Sequence, residues 1–202
     1  LIPSAFAYAI HMLGTPLLKP YNRRCKEREA KSMEVLETIR MKRAVRAFAA
    51  TLLPQQEIDI ILHAGRRSQS SKNTQPWHFI AIQERDLLKA LSECGTYAGH
   101  LAGAALGVAI LTPDPTQRWS IMFDAGQAAA YMQLAAWSLG IGSCLATIYE
   151  TDKARQLLAY PSEYHLHVAL SFGYPADKEE LIRAPSAGGR KAVEEIIHYE
   201  TW

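Results

Sequence analysis

The 202-residue chain is 49% hydrophobic and carries a formal charge of +2. That is enough apolar material for one domain with a substantial core, and too little positive charge for a general nucleic-acid surface. Three widely spaced cysteines, Cys25, Cys94 and Cys144, form no CxxC pair, which argues against a zinc knuckle or a disulfide framework and points to a reducing cytoplasm.

Leu1 to Leu18 holds no Asp, Glu, Lys or Arg, and Lys19 to Lys31 then packs many charges together. The basic residues follow the apolar run instead of preceding it, and Pro3, Gly14 and Pro16 interrupt any spanning helix, so neither a signal peptide nor membrane insertion is expected. Residues 1–32 are read as an appendage, with the domain proper over residues 33–202. The chain begins with Leu, which fits an upstream extension of the true reading frame.

From Met33 the pattern becomes regular. Val35, Leu36 and Ile39 share one face of a helix whose first turn holds Glu34 and Glu37, as the helix dipole favours. A basic cluster, Lys42-Arg43-Ala44-Val45-Arg46, ends it. Pro54 is a suitable first-turn residue for the next helix, which carries Ile58, Ile61 and Leu62 and stops near Gly65. Ser68 to Gln75 is polar, and Trp77 to Ile82 is then β-rich, so the polar stretch is a helix-to-strand loop. Its Ser, Asn and Gln side chains both donate and accept hydrogen bonds, which suits a ligand rich in carbonyls, ring nitrogens and hydroxyls; solvation alone would also account for them.

Asp86 to Cys94 reads as a helix, Gly95 to Gly103 as a loop or short helix, and Ala104 to Leu111 as a buried strand ended by Thr112-Pro-Asp-Pro. The longest helical pattern runs from about Trp119 to Leu139. It is Ala-rich and apolar nearly all round, as expected of a helix at the centre of a fold or at a subunit interface. Gly140 and Gly142 close it. A short helix capped by Thr151 or Asp152 and a strand over Tyr164 to Phe172 follow, and a basic tail holds Arg183, Arg190 and Lys191. Helices and strands interleave, which gives an α/β or α+β chain with a mixed sheet.

Brought together, the two basic clusters would hold a phosphate, since Arg and Lys give several charge-assisted bonds; solvated surface charge is the alternative. Gly140-Ile-Gly142 follows a helix and not a strand, so it is no dinucleotide fingerprint. His165 and His167 share a strand face but lack a third metal ligand at suitable spacing, and a structural role is expected. No nucleophile with a paired base stands out.

Taken in order, these pieces resemble the FMN-dependent nitroreductase family from about Met33 to the C-terminus. The resemblance rests on Lys42-Arg43-Ala44-Val45-Arg46-Ala47-Phe48, on Ser68-Gln69-Ser70-Ser71-Lys72-Asn73-Thr74-Gln75-Pro76-Trp77, on Leu139-Gly140-Ile141-Gly142 and on Gly173-Tyr174-Pro175 before the basic tail. It implies an α+β fold with a mixed, mainly antiparallel sheet flanked by helices, and a long central helix at a two-fold dimer interface. It further implies that Lys42, Arg43, the Ala44 backbone, Arg190 and Lys191 hold the FMN phosphate. Arg46 would face the flavin pyrimidine edge, where a fixed cation stabilises the reduced ring. Ser70, Ser71 and Asn73 would bond ring or ribityl groups, Arg67 and Gln75 would also reach the cofactor, and Leu145, Ala146 and Thr147 would run behind the ring.

Two residues depart from the family pattern: Ala44 stands where Ser is usual and Gln69 where Pro is usual, which removes a hydroxyl from the phosphate site and puts the loop's rigidity in question. The activity implied is NAD(P)H-dependent oxidoreduction through FMN toward a nitroaromatic, quinone or similar acceptor, by ping-pong kinetics in a homodimer. The chemistry is the flavin's, so no general acid or base is named; substrate contacts are expected from Tyr97 to Leu101 and around Trp119 and Phe123. The alternative is a flavin-binding protein for storage, sensing or flavin breakdown.

Overall fold

The computed structural model describes residues 35–184 and 190–202, which belong to one compact unit. The expectation for residues 1–32 lies outside them. Among the described residues are five α-helices, α1 (Val35–Met41), α2 (Gln55–Arg66), α3 (Arg85–Ser92), α4 (Ser120–Ser138) and α5 (Thr151–Leu158), and four strands, β1 (His78–Ile82), β2 (Leu106–Thr112), β3 (Gly142–Thr147) and β4 (His165–Gly173), which alternate from α2 onward. The strands form one antiparallel sheet in the order β1-β2-β4-β3.

Every residue of β2 is buried, because this apolar run is covered on both faces. On one face Ile58 and Ile61 of α2 and Ala125, Ala128 and Met132 of α4 pack against Val108, Ile110 and Leu170. On the other, Leu88 and Leu91 of α3 and Ala154 of α5 pack against Ala109, Leu166 and Ala169. The result is three layers, helix, sheet and helix, held by two large apolar cores, with a third, small one formed by Met41, Val45 and Trp137.

A short extended segment seals the edge beyond β3. Ala44 bridges Ser143 in parallel and Phe48 bridges Pro175 in antiparallel fashion. Val45 N–H donates to Ser143 O at 3.0 Å, and Ala49 N–H to Tyr174 O at 2.8 Å. Two glycines admit it: a Cβ on Gly142 would stand 2.7 Å from Val45, and one on Gly173 2.9 Å from Phe48. All four strands pair antiparallel, and the one parallel pairing is the isolated Ala44–Ser143 bridge outside them; the sheet is flanked by helices in the expected α+β arrangement.

Several local expectations need correction. Val35, Leu36 and Ile39 do share a face of α1, but they are 70%, 78% and 56% exposed, and Thr38 and Met41 face inward instead. Pro54 is the N-cap of α2 and not its first residue, and α5 is capped by Glu150 and not by Thr151 or Asp152. The strand β3 was not expected: Gly-Ser-Cys-Leu-Ala-Thr is short and poor in β-branched residues, and it is held by its pairing with β4. The Gly140 stop behaves as read, with φ of +76° after the Leu139 C-cap. Helix α4 is buried on one side only; Met122, Phe123 and Tyr131 remain exposed on the other. Among the described residues no helix is long and apolar enough to cross a membrane.

Gly95, just after α3, sits against β3: a Cβ there would collide with the Thr147 backbone carbonyl, which cannot swing away. At Gly99 nothing lies within 4 Å of a Cβ. Gly95→Ala is expected to cost about 1–3 kcal/mol in urea unfolding, whereas Gly99→Ala should stay within about 0.5 kcal/mol of the parent. Equal effects would show that this approach does not constrain β3.

Candidate functional site

The exposed side of α4 acts as a ruler along which three groups of residues are arrayed. At its C-terminal half, Lys42, Arg43, Ala44 and Arg190 line a cavity of about 320 Å³, closed by Ile39, Ala130, Gln133 and Leu134. Two basic stretches nearly 150 residues apart in sequence therefore meet, and among the described residues no carboxylate lines the space they enclose. Lys191 is exposed and does not line it.

The Lys42 side chain is half-buried and has no hydrogen bond or ion pair among the described residues, while its backbone N–H donates to Thr38 O at 2.9 Å. Burial pushes its pKa below the usual lysine value; Cys144 opposes that shift and the Arg190 cation adds to it. The Arg43 guanidinium donates to the backbone carbonyls of Arg183 and Met41, the latter at 3.5 Å, so it is held in place without losing its charge to a carboxylate. The Val45 amide faces β3, and the Ala44 amide, alternate to it along the extended segment, takes no backbone acceptor among the described residues. This cluster of unneutralised cations and a free amide fits a phosphomonoester, which would relieve both the repulsion and the desolvation.

The polar loop lies at the other end of α4. Ser71 N–H donates to Asp124 Oδ1 at 3.0 Å, and Arg118 stands 4.0 Å from the same carboxylate while donating to Thr74 Oγ1 at 2.8 Å. Ser70 Oγ accepts from Gln75 N–H at 2.9 Å, and Ser68 Oγ–H donates to Gly65 O at 2.8 Å. Lys72, Asn73 and Gln75 all have positive φ, of 54°, 55° and 48°. Left-handed backbone at three non-glycine residues costs energy and persists only where the surroundings impose it. The rigidity questioned by Gln69 in place of Pro is thus supplied by the buried Asp124 and by the internal Ser70 bond.

Not every expected side chain faces the same space. The Gln75 side chain lines a separate cleft of about 500 Å³ with Asp59, His63, Arg66, Trp77 and Phe79. Arg67 is exposed at the C-cap of α2, where its backbone N–H donates to the carbonyls of His63 and Ala64. Arg46 is exposed on the face opposite Val45, close enough to the buried His100 that its charge adds to burial in lowering that imidazole's pKa.

Between the two ends lies β3. Leu145 is 46% exposed and lines a narrow cleft with Met122, Ala125, Gly126 and Ala129 of α4, while Ala146 is buried on the opposite face and Thr147 is exposed. From Asp124 to Gln133 the helix rises roughly 14 Å, at about 1.5 Å per residue. Tyr97, Trp119 and Phe123 are all largely exposed, and the latter two meet edge to face at 6.5 Å. His165 and His167 stack at 6.1 Å, and among the described residues no group of three metal-binding side chains forms.

Asp124 and Gln133 were not singled out from the sequence. Asp124 is 2% exposed, and Gln133 donates to Ser143 Oγ at 3.3 Å beside the cationic cavity. A signal existed: Asp124 is the one carboxylate in a 19-residue apolar helix, where burying a charge is costly unless it does something.

The sequence matches the profile described as the nitroreductase family over residues 39–96 and 94–174. A protein of Archaeoglobus fulgidus with the provisional name NADH dehydrogenase/NAD(P)H nitroreductase is 30% identical over 178 residues, covering 84% of this chain and 99% of that relative. An FMN reductase (NADPH) of Bacillus subtilis is 24% identical over 164 residues, covering 70% of this chain and 66% of the relative. Among solved structures, an FMN-dependent nitroreductase from Clostridium difficile is similar with a TM-score of 0.73 and 26% identity, covering 83% of this chain and 99% of that one.

The cationic cavity has a consequence that needs no flavin. Because the folded Lys42 pKa is lowered, the unfolded chain binds more protons between that value and 10.5, so this lysine's contribution to stability rises with pH across that window. Inorganic phosphate at about ten times its Kd should stabilise the protein by on the order of 1 kcal/mol at neutral pH. Lys42→Met should lose most of that gain while raising stability without phosphate. Thermal unfolding with and without phosphate checks it; an equal phosphate effect in both proteins would exclude Lys42 from the anion site.

Proposed function

The chain belongs to the nitroreductase family, and on that premise we propose that it is an NAD(P)H-dependent oxidoreductase that binds FMN and passes electrons to a nitroaromatic, quinone or similar acceptor. The observation that carries the cofactor assignment is the half-buried Lys42 side chain, unpartnered among the described residues, beside Arg43 and Arg190 in a cavity that no described carboxylate lines. When bound, FMN supplies the capacity to take two electrons as a hydride from NAD(P)H and release them to an acceptor.

In this reading Lys42, Arg43, Arg190, the Ala44 amide and, from the tail, Lys191 bind the phosphate. Gln133, absent from the family motif, adds a polar contact at the same end. Arg46 puts a cation at the pyrimidine edge, and Arg67, Ser70, Ser71, Asn73 and Gln75 orient ring and ribityl groups. Leu145, Ala146 and Thr147 wall off one side of the ring from water. The Asp124 carboxylate keeps the loop in its costly conformation before the ligand arrives, so little ordering remains to be done on binding.

A homodimer is part of the proposal. The exposed faces of α1 and α4 form an apolar hollow of about 500 Å³ lined by Val35, Ile39, Tyr131, Leu134 and Ala135, a surface unlike that of a solitary helix pair. A two-fold contact there would bring the loop of one chain toward the cationic cavity of the other. The cytoplasm remains the expected compartment, and a protein starting at Met33 should fold, dimerise and bind FMN like the full chain.

The protein should purify yellow and release FMN, not FAD, on denaturation; a colourless protein that cannot be reconstituted with FMN would remove the basis of this reading. NADH or NADPH should bleach the bound flavin within seconds, which a storage or sensing protein need not do. Arg190→Ala should weaken FMN binding more than it shifts the flavin midpoint potential, and Arg46→Ala should do the reverse, since phosphate contacts are alike in both redox states. Initial rates should give parallel double-reciprocal lines, as one crevice serves both substrates in turn. Intersecting lines would mean separate donor and acceptor sites.

A further inference from the structure

The backbone around Lys42 is fixed on both sides. Its N–H donates to Thr38 O at 2.9 Å, continuing the last turn of α1, and Val45 N–H donates to Ser143 O at 3.0 Å. The side chain is delivered to a cavity of about 320 Å³ with two kinds of wall. Arg43 and Arg190 make one side cationic, and Ile39, Ala130 and Leu134 make the other apolar. At about 30 Å³ per water of the liquid, the space equals roughly ten waters, which admits a phosphate group with a small carbon group attached to it.

A guanidinium at position 42 would grip a phosphate as well and could never lose its proton, whereas an amine can. Burial lowers the Lys42 pKa; Cys144 opposes that shift and the Arg190 cation adds to it. Near neutral pH the neutral, nucleophilic amine is thus more populated than in an ordinary lysine. Lys153 is the opposite case, paired with Glu93 at 3.0 Å and with its pKa raised. Lys72, Lys89, Lys178 and Lys191 are exposed and line no cationic cavity among the described residues.

We propose that Lys42 is a site of acylation by acyl phosphates, whose phosphate is taken by Arg43 and Arg190 while the acyl group lies along the apolar wall with its carbonyl presented to the Lys42 amine. The nitrogen attacks the carbonyl carbon. A C–N bond forms, the C–O bond to the phosphate breaks, and the proton released from nitrogen goes to the departing group, which leaves as hydrogen phosphate. No electrons are exchanged and no further reactant is needed. The two guanidinium groups hold the phosphate before the attack and face the oxygens on which charge gathers as it departs.

Acylation turns a cation into a neutral amide at a point where the flavin reading puts the FMN phosphate. Cofactor and modification therefore exclude each other: bound FMN covers the amine, and the acylated chain grips FMN weakly. This exclusion rests on the flavin reading; the acylation itself needs the anion site alone.

The test uses acetyl phosphate on the flavin-free full chain near neutral pH, with the acetyl content of each lysine followed by peptide mass spectrometry. Lys42 should react on the order of tenfold faster than Lys89 or Lys191. Inorganic phosphate or FMN should remove most of that lead without slowing Lys89. N-succinimidyl acetate, an acetyl donor with no phosphate, should show a smaller lead that phosphate barely changes. Arg190→Ala should slow the acetyl phosphate reaction at Lys42 and weaken the protection by phosphate. The acetylated protein should bind FMN about tenfold more weakly, whereas Lys42→Arg should keep its FMN binding through the same treatment.

Reaction of Lys42 no faster than Lys89, or a fast reaction that phosphate leaves unchanged, would overturn the proposal. Selective, phosphate-sensitive acetylation in a chain that never binds FMN would uphold the acylation site and bring down the flavin reading. FMN binding with unselective acetylation would do the reverse.

Discussion

The contact on which the site depends is the seating of Val45 and Phe48 against two glycines at the sheet edge. With no Cβ on Gly142 or Gly173, the segment 44–48 can approach β3 and the end of β4 closely enough to hydrogen-bond. Everything local follows from that register. Val45 points into the small core with Met41 and Trp137, so Arg46 must point out, and Lys42 and Arg43 are carried to the rim of α4. A one-residue slip would exchange the buried and exposed sets and scatter the cations.

That seam also explains how a destabilising arrangement is tolerated. Gathering Lys42, Arg43 and Arg190 around a cavity that no described carboxylate lines sets like charges together, and Lys42 is partly stripped of water as well. The two large apolar cores and the helix-sheet-helix layering lie elsewhere and do not rely on these residues. Stability and ligand readiness are therefore supplied by different parts of the chain. The same division holds at the loop, where α4 supplies a buried carboxylate to keep three non-glycine residues in left-handed backbone.

Much of this was legible in the sequence. The apolar run of β2, the Ala-rich α4 and the Gly140 stop each carry strong local signals, and the Asn-x-Gln-Pro-Trp loop with its flanking motifs pointed to the family. What could not be read were the features set by tertiary pairing. The β3 residues have little strand propensity of their own and become a strand because β4 offers its edge. The apolar stripe of α1 gives no indication that it faces outward, since periodicity reports a face but not its neighbour. Likewise His165 and His167 are two alternating residues on paper, and only a bulge in the pairing of β2 with β4 turns the second toward α4 together with Val168.

The short segment that carries Ala44 also does something for the sheet itself. By bridging Ser143 it covers the start of the outer edge of β3, where free N–H and C=O groups would otherwise be open to pairing with another chain. The proposed cofactor grip and this cover over the sheet edge thus fall to the same few residues. Damage to this segment would be met in a cell less as a folded but inactive protein than as one that clumps or is degraded, so genetic screens for inactive yet soluble variants would under-sample it.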